Sequence, residues 1–295
     1  MKVQMEKEQV NMRRSLDELN ETSWRLSRQI IDITTKAGSG HPSSSLSAID
    51  VMTALYFGGI MQYDQRQPGW NDRDRFILSK GHGAPGLYVT LAEAGFFDPN
   101  LLWTLRQFES PLEGHPNMRV LPGLEASTGS LGQGLSIGVG HALAGKIDGK
   151  IYRVYAMIGD GESDEGQIWE ACMSAVKFRL NNLTVLLDNN QFQQTGPVKE
   201  VMPTLLPFAE KWRAFGWHVE EVDGHDMEQV LDALEKVQEV KDMPQVIICH
   251  TKKGKGLSPF EKNDVNRKHG VVLTEEEART AYAELDEMYG KTGGK

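Results

Sequence analysis

IYRVYAMIGDGESDEGQIWEACMSAVKFRLNNLTVLLDNNQFQQTG, residues 151–196, reads as strand, tight turn, helix, strand and loop. Residues 152–158 form an apolar, β-prone run that stops at Gly159-Asp160-Gly161. Over 166–179, Ile168, Trp169, Cys172, Ala175, Val176 and Phe178 recur at helical spacing and can face a sheet. Residues 183–187 form a second buried-strand run, ending in Asp188-Asn189-Asn190. This is a βαβ unit, and in such units ligands gather at the carboxyl ends of the strands. Both polar clusters sit at strand ends, so one crevice can hold Asp160 and Asn190 together.

The turn narrows the ligand. Gly159 and Gly161 let backbone N–H groups approach a phosphate. Yet Asp160, Glu162, Asp164 and Glu165 crowd the same turn and would repel a bare pyrophosphate. A divalent cation held by Asp160 and the Asn190 amide reverses that sign, and hard oxygen ligands suit Mg²⁺ or Ca²⁺. Three rival motifs fail. A dinucleotide fingerprint needs a third glycine where Asp164 stands. A Walker loop needs G-K-[ST], which does not follow. An EF-hand starting at Asp160 needs Gly and Glu where Glu165 and Ala171 stand. The plain alternative is an acidic turn that only caps the next helix.

At 295 residues the chain is long enough to bury a large core, and one α/β domain is the default. A net charge of −9 and a pI of about 5.4 disfavour nucleic acid and anionic membranes as partners. Cys172 falls on an apolar helix face and Cys249 in a strand run, so both read as core thiols. No secretory leader is visible, and the apolar zone 46–61 is interrupted by Asp50 and too short to span a bilayer. A cytoplasmic location is expected.

The expected layout is an arm over 1–15, one domain over 16–290 and a tail over 291–295. Helices are expected at 16–37, after the triad Ser43-Ser44-Ser45 as a cap, at 85–94, 101–108, 127–144, 204–215, 224–240 and from the capping box at Thr274. Strands are expected at 75–79, 218–222 and 245–250 besides the central two. Helices alternating with buried-type strands predict a doubly wound, mainly parallel sheet. Lys252, Lys253 and Lys255 read as a solvated basic loop. Of eight histidines, His41, His82, His115 and His269 each adjoin glycine on loops. A lone loop histidine is ordinarily solvated and idle, but four in one domain ask for another reason. They lack the short spacing of a zinc site.

Gly159-Asp160-Gly161, then 27 residues, then Asn189-Asn190, resembles the thiamine diphosphate motif of transketolase and its relatives. In that family the aspartate, the second asparagine and a carbonyl two residues on hold the metal. By position these are Asp160, Asn190 and Phe192. AGSGHP, DRFILSKGHGAPGLY, EGHPN, STGSLGQGLS and HTKKGKG…HG are similar to further family segments, in order, from about residue 16 to 270. Ser43, Ser44 and Lys268 depart from the family pattern.

The resemblance implies a thiamine diphosphate-binding fold and transfer of a two-carbon ketol unit from a ketose to an aldose, with sugar phosphates as substrates. It implies Mg²⁺, with Ca²⁺ or Mn²⁺ as alternatives. His41, His115 and His269 would line the donor sugar, where proton transfers near neutral pH suit histidine. His82, His269, Gly129, Ser130, Leu131, Gly159, Asp160, Gly161, Glu162 and Asn190 would hold the cofactor. Glu165 resembles an acid at the contact between active sites; a first-turn carboxylate aiding the helix dipole is the bland alternative. Full-length members are more than twice this length and continue with pyrimidine-binding and C-terminal domains. The expectation is therefore the N-terminal subunit of a split transketolase, inactive alone, working as an α₂β₂ heterotetramer with a pyrimidine-domain chain. A 1-deoxyxylulose-phosphate synthase-like or oxoacid dehydrogenase-like subunit, or a non-catalytic scaffold, are the alternatives.

Overall fold

The computed structural model describes residues 13–261 and 269–291. Most of the expected arm (1–12), Lys268 and the tail beyond 291 lie outside them. The part of the arm that is described is docked. Arg14 N–H donates to the Phe57 carbonyl at 3.0 Å, and Ser15 and Glu18 form a capping box for the first helix. At the other end the Lys291 N–H bonds the Asp286 carbonyl at 2.7 Å, and its ammonium pairs with Glu21.

Five strands form one sheet: β1 (Arg75–Leu78), β2 (Val154–Gly159), β3 (Leu183–Asn189), β4 (His218–Asp223) and β5 (Gln245–His250). Their order is β1-β2-β3-β5-β4 and every pairing is parallel. The α/β reading is therefore met. Successive side chains leave a strand on opposite faces, and both faces here are apolar. Tyr155, Met157, Leu186 and Ile247 pack to one side with α1 (Leu16–Ala37), α2 (Pro42–Phe57), α3 (Ala84–Glu93), and two later helices, α7 (Met227–Lys236) and α8 (Glu275–Met288). Ala156, Ile158, Val185 and Ile248 pack to the other with α4 (Gln133–Ile147), α5 (Gly166–Lys177) and α6 (Phe208–Ala214). A sheet covered twice has strands that read as continuous apolar runs.

The register levels the strand ends. Gly159 stands opposite Asp188, and Asn189 opposite His250. The polar residues that follow each strand thus emerge along one edge.

Two helices carry that edge. Every residue of α2 is buried, and Pro42 occupies its first turn. The serine triad consequently lies inside the helix rather than capping it, because proline is preorganised for the first helical position. α4 starts against the end of β1: a Cβ on Gly134 would come within 2.5 Å of Ser79, so only glycine permits the approach.

Other boundaries also differ from expectation. The segment expected as a helix at 101–108 is a 3-10 turn at Pro99–Thr104. The helix expected over 204–215 is split into a 3-10 turn, Pro203–Leu205, and α6. Pro207, after a cis peptide bond, has no N–H to continue a helix, and α6 begins behind it.

Leu186, fully buried in the central strand, tests the core. Leu186→Ala is expected to lower unfolding free energy by about 2–5 kcal/mol, against under about 0.5 kcal/mol for Ile151→Ala, whose side chain is solvent-exposed. Urea titration followed by circular dichroism measures both.

Candidate active site

A cavity of ≈ 600 Å³ opens where the strands end. The β1 end supplies Lys80 and His82, the β2 end Gly159 to Glu162, and the β3 end Asn190 and Phe192. His41 and Ser44 reach it from the start of α2, Gly129 and Leu131 from the loop before α4, and His115 and His269 from other loops.

Its floor is organised by one buried carboxylate. Asp188 accepts the Lys80 ammonium, the Ser47 hydroxyl at 2.7 Å, the Asn190 amide at 3.1 Å and the Thr251 hydroxyl. Lys80 also donates to the Ser44 carbonyl at 2.9 Å. Burial pushes the Asp188 carboxyl up, but the ammonium and the two hydroxyls outweigh it and hold the group below its ordinary range.

Asp160 is different. It is equally buried, and its two oxygens accept the Gly161 and Gln191 N–H groups. Burial, then the charge on Asp188, raise its carboxyl to about 7. Lys80 is already committed to Asp188, and among the described residues no side-chain cation forms an ion pair with Asp160. A carboxylate offers about four lone-pair sites, and two remain here for a metal. The Asn190 carboxamide oxygen accepts the Phe192 N–H at 3.1 Å, which turns it away from Asp188. This oxygen-rich donor set fits a hard divalent cation. Among the described residues no three His, Cys, Asp or Glu side chains cluster as a metal site, so carboxamide, carbonyl or ligand oxygens must complete any such shell.

Glu162 lines the cavity, but its carboxylate is spent inside the protein. It accepts from the Ser79 hydroxyl, from Gly132 N–H at 2.9 Å and from Gly159 N–H at 3.0 Å. It brackets three loops together. Burial still raises its carboxyl above the ordinary range. Opposite it, Gly129 has φ +147°, and a Cβ there would strike His115 at 2.9 Å.

Three imidazoles face one another: His41–His82 at 5.3 Å, His41–His269 at 5.5 Å and His82–His269 at 5.1 Å between centroids. Burial, then neighbouring cations, lower His41 to about 4 and His269 to about 3, and push His82 well down. All three are neutral at pH 7. His41 Nδ1 is buried with no hydrogen-bond partner among the described residues. Arg106 ties this group together, bonding the Ser39 hydroxyl at 2.8 Å and the Gly114 carbonyl at 3.3 Å, next to His41 and His115.

The basic loop is not solvated as expected. Lys252 is exposed, but Lys253 and Lys255 are buried. Lys253 Nζ lies 2.9 Å from His269 Nδ1, and Lys255 pairs with Asp50. The partners come from distant parts of the chain, and glycines on both sides allow the tight turn. Ser130 and Glu165 are exposed and outside the cavity lining. Glu165 is the N-cap residue of α5, without a side-chain cap bond.

A family profile described as "Transketolase, thiamine diphosphate binding domain" matches residues 23–290. The chain belongs to the transketolase family. Over 251 residues it is 46% identical to a 6-deoxy-6-sulfo-D-fructose transketolase subunit, SqwG, of a Clostridium species, covering 85% of this chain and 90% of the relative. It is 41% identical over 264 residues to a subunit of the apulose-4-phosphate transketolase of Phocaeicola vulgatus, covering 90% and 92%. The solved transketolase of Campylobacter jejuni superposes with a TM-score of 0.85 at 30% identity; 94% of this chain covers 43% of that one. The match thus runs nearly end to end with the transketolases named as subunits, and over less than half of the solved enzyme.

Reading the sequence missed Lys80, Asp188, Ser47 and Thr251 as parts of the site. Lys80 and Asp188 each adjoin a motif that was read, KGHG and DNN, yet neither motif says that they pair. Gln193, Gln194 and Thr195 also line the cavity and sit in the loop just beyond Asn190.

Two tests follow from this geometry. Lys80→Met strands the Asp188 carboxylate and is expected to cost about 3–5 kcal/mol of stability, read by urea unfolding. The second concerns protons. Unfolded His269 titrates near 6.5 but stays neutral in the fold to about 3, so between those values only the unfolded chain gains its proton. Compared with His269→Asn, the native chain should lose stability as pH falls from 6.5 towards 3. The opposite drift from Asp160 is common to both chains and cancels. A urea-midpoint series against pH for both proteins measures the difference; parallel curves would contradict it.

Proposed function

We propose that the chain binds the diphosphate end of thiamine diphosphate through a divalent cation, Mg²⁺ for preference, in the strand-end cavity. The observation that carries this is Asp160: a buried carboxylate, lifted to about 7, beside backbone N–H groups and with no ion-pair partner among the described residues. Asp160, the Asn190 carboxamide and the Phe192 carbonyl would hold the metal. His82, His269, Gly129, Leu131, Gly159 and Gly161 would surround the cofactor. Ser130 joins them only if it approaches the cofactor from outside the cavity lining. When bound, the thiazolium ring supplies a carbon nucleophile for the sugar carbonyl.

The protein's own part is positional and protolytic. Asp188 and Lys80 set the floor, and Glu162 holds the glycine turns at fixed spacing. His41, His115 and His269 line the sugar side. Neutral at pH 7, His41 offers one donor and one acceptor nitrogen and can take or return a hydroxyl proton. Burial favours the same neutral form of His115, and His269, with Nδ1 against Lys253, faces the sugar side as a donor. Glu165, exposed at the start of α5, is suited to face a neighbouring chain.

The two relatives spanned nearly end to end are named as subunits, which supports a partner chain; we infer that it is a pyrimidine-binding chain in an α₂β₂ assembly. Their named substrates are an apulose phosphate and a sulfo-sugar. Both carry a terminal anion, and we infer a ketose of that kind as donor. No described helix is long and apolar enough to cross a membrane. Two buried, unpaired thiols fit the reducing cytoplasm.

The test is reconstitution. The chain is purified alone and with the pyrimidine-domain chain of the same organism, each with thiamine diphosphate and Mg²⁺, and offered phosphorylated and sulfonated ketoses with aldose acceptors. Ketol transfer is expected only with both chains. Asp160→Ala should weaken cofactor binding, followed by calorimetry, by about 10–100-fold or more. Full activity of the single chain would remove the partner, and decarboxylation of an added 2-oxoacid without ketol transfer would remove the reaction.

A further inference from the structure

Asp50 stands within α2, outside the cavity lining, and its carboxylate reaches four other parts of the chain. One oxygen accepts from Ser23 of α1 and from the Tyr289 hydroxyl, the latter at 3.1 Å. The other accepts the Lys255 ammonium and faces His225 Nδ1 at 2.7 Å. The second nitrogen of His225, Nε2, accepts the Lys252 backbone N–H at 2.9 Å. His225 is therefore fixed with its proton on Nδ1, pointing at Asp50.

One carboxylate thus grips the loop after β5 at both ends, Lys252 through His225 and Lys255 directly. Between the grips the backbone is left-handed, with φ +67° at Gly254 and +59° at Lys255. A non-glycine residue in that region is uncommon and persists only where its surroundings impose it. The residue that the turn delivers behind His269, which lines the cavity, is the buried Lys253. Its Nζ sits 2.9 Å from His269 Nδ1 and 3.5 Å from the Gln193 carbonyl.

An ammonium has donors and no acceptor. His269 Nδ1 must then accept, and the ring proton of the neutral imidazole resides on Nε2. The other partner of Lys253, the Gln193 carbonyl, is also an acceptor, which suits a lysine that donates to both. We propose that Asp50, acting through Lys255 and His225, is a positioning residue that aims Lys253 and so holds His269 as its Nε2–H tautomer. His269 then meets a ligand oxygen as a hydrogen-bond donor, with the acceptor nitrogen already taken. This deepens the reading of the cavity given above. The tautomer belongs to the chain itself, so its failure is distinguishable from a failure of ketol transfer.

The experiment uses the full chain labelled with ¹⁵N in its imidazoles and long-range ¹H–¹⁵N correlation at pH 7, with the His269 signals assigned by their loss in His269→Gln. The native chain should show Nε2 protonated and Nδ1 bare. Lys253→Met should shift both nitrogens towards an averaged tautomer mixture, and Lys253→Arg should restore the native pattern. Lys255→Met should give the same shift with Lys253 still present. That variant leaves Asp50 its bonds to His225, Ser23 and Tyr289, and circular dichroism checks its fold. If it does not fold, His225→Asn releases the other grip and is read in the same way. A native Nδ1–H tautomer overturns the proposal. So does a Lys255→Met or His225→Asn spectrum in which His269 is unchanged.

Discussion

A carboxylate removed from water must be met by donors or a cation, and the strand-end site is built around that demand on Asp188. Its partners are the ends of β1 and β5, a turn of α2 and the loop after β3. Four elements are located by one residue. With Lys80 committed there, the second carboxylate, Asp160, keeps its need for positive charge. The pair explains how one acidic edge can accept an anionic ligand. One acid is neutralised by the fold, and in the function proposed above the other would take the metal.

Much of this was legible in the chain. The central βαβ unit could be read because residues 154–158 are apolar throughout and 183–187 are broken only by Thr184, as suits a sheet covered on both faces. The glycine-flanked Asp160 and the four loop histidines announced a site by their company. Errors arose where the deciding partner was distant or the backbone unusual. Lys253 and Lys255 look like a solvated loop because His269 and Asp50 are invisible in local sequence. The serines after His41 look like caps until Pro42 begins the helix ahead of them. Asp188 looked like the end of a strand, although it is the anchor.

Glu162 gives a related lesson about acidic turns. Four acids within six residues suggested a cluster waiting for a cation. Each has a separate task. Asp160 faces the cavity, and Glu162 is consumed by one hydroxyl and two backbone donors. Asp164 is bonded by the Gln193 amide at 2.8 Å, and Glu165 stands exposed at the head of α5. Composition showed the charge, but only the hydrogen-bond partners divide it among roles.

The span of these bonds bears on how the chain folds. Asp188 waits for a lysine 108 residues away, and Asp50 for one 205 residues away. Loop closure must be completed before either contact rewards it, and a wholly parallel sheet adds no short hairpins to start from. Asp188 finds Lys80, Ser47 and Asn190 before β5 is made, but until β5 and its following loop arrive Asp50 lacks Lys255 and must remain hydrated, which opposes early closure of α2 over the sheet. The final quarter of the chain therefore acts as a checkpoint in synthesis. A nascent chain truncated before it cannot desolvate Asp50, whose Lys255 and His225 are still missing, and its exposed strands would be a substrate for chaperones rather than a half-built enzyme.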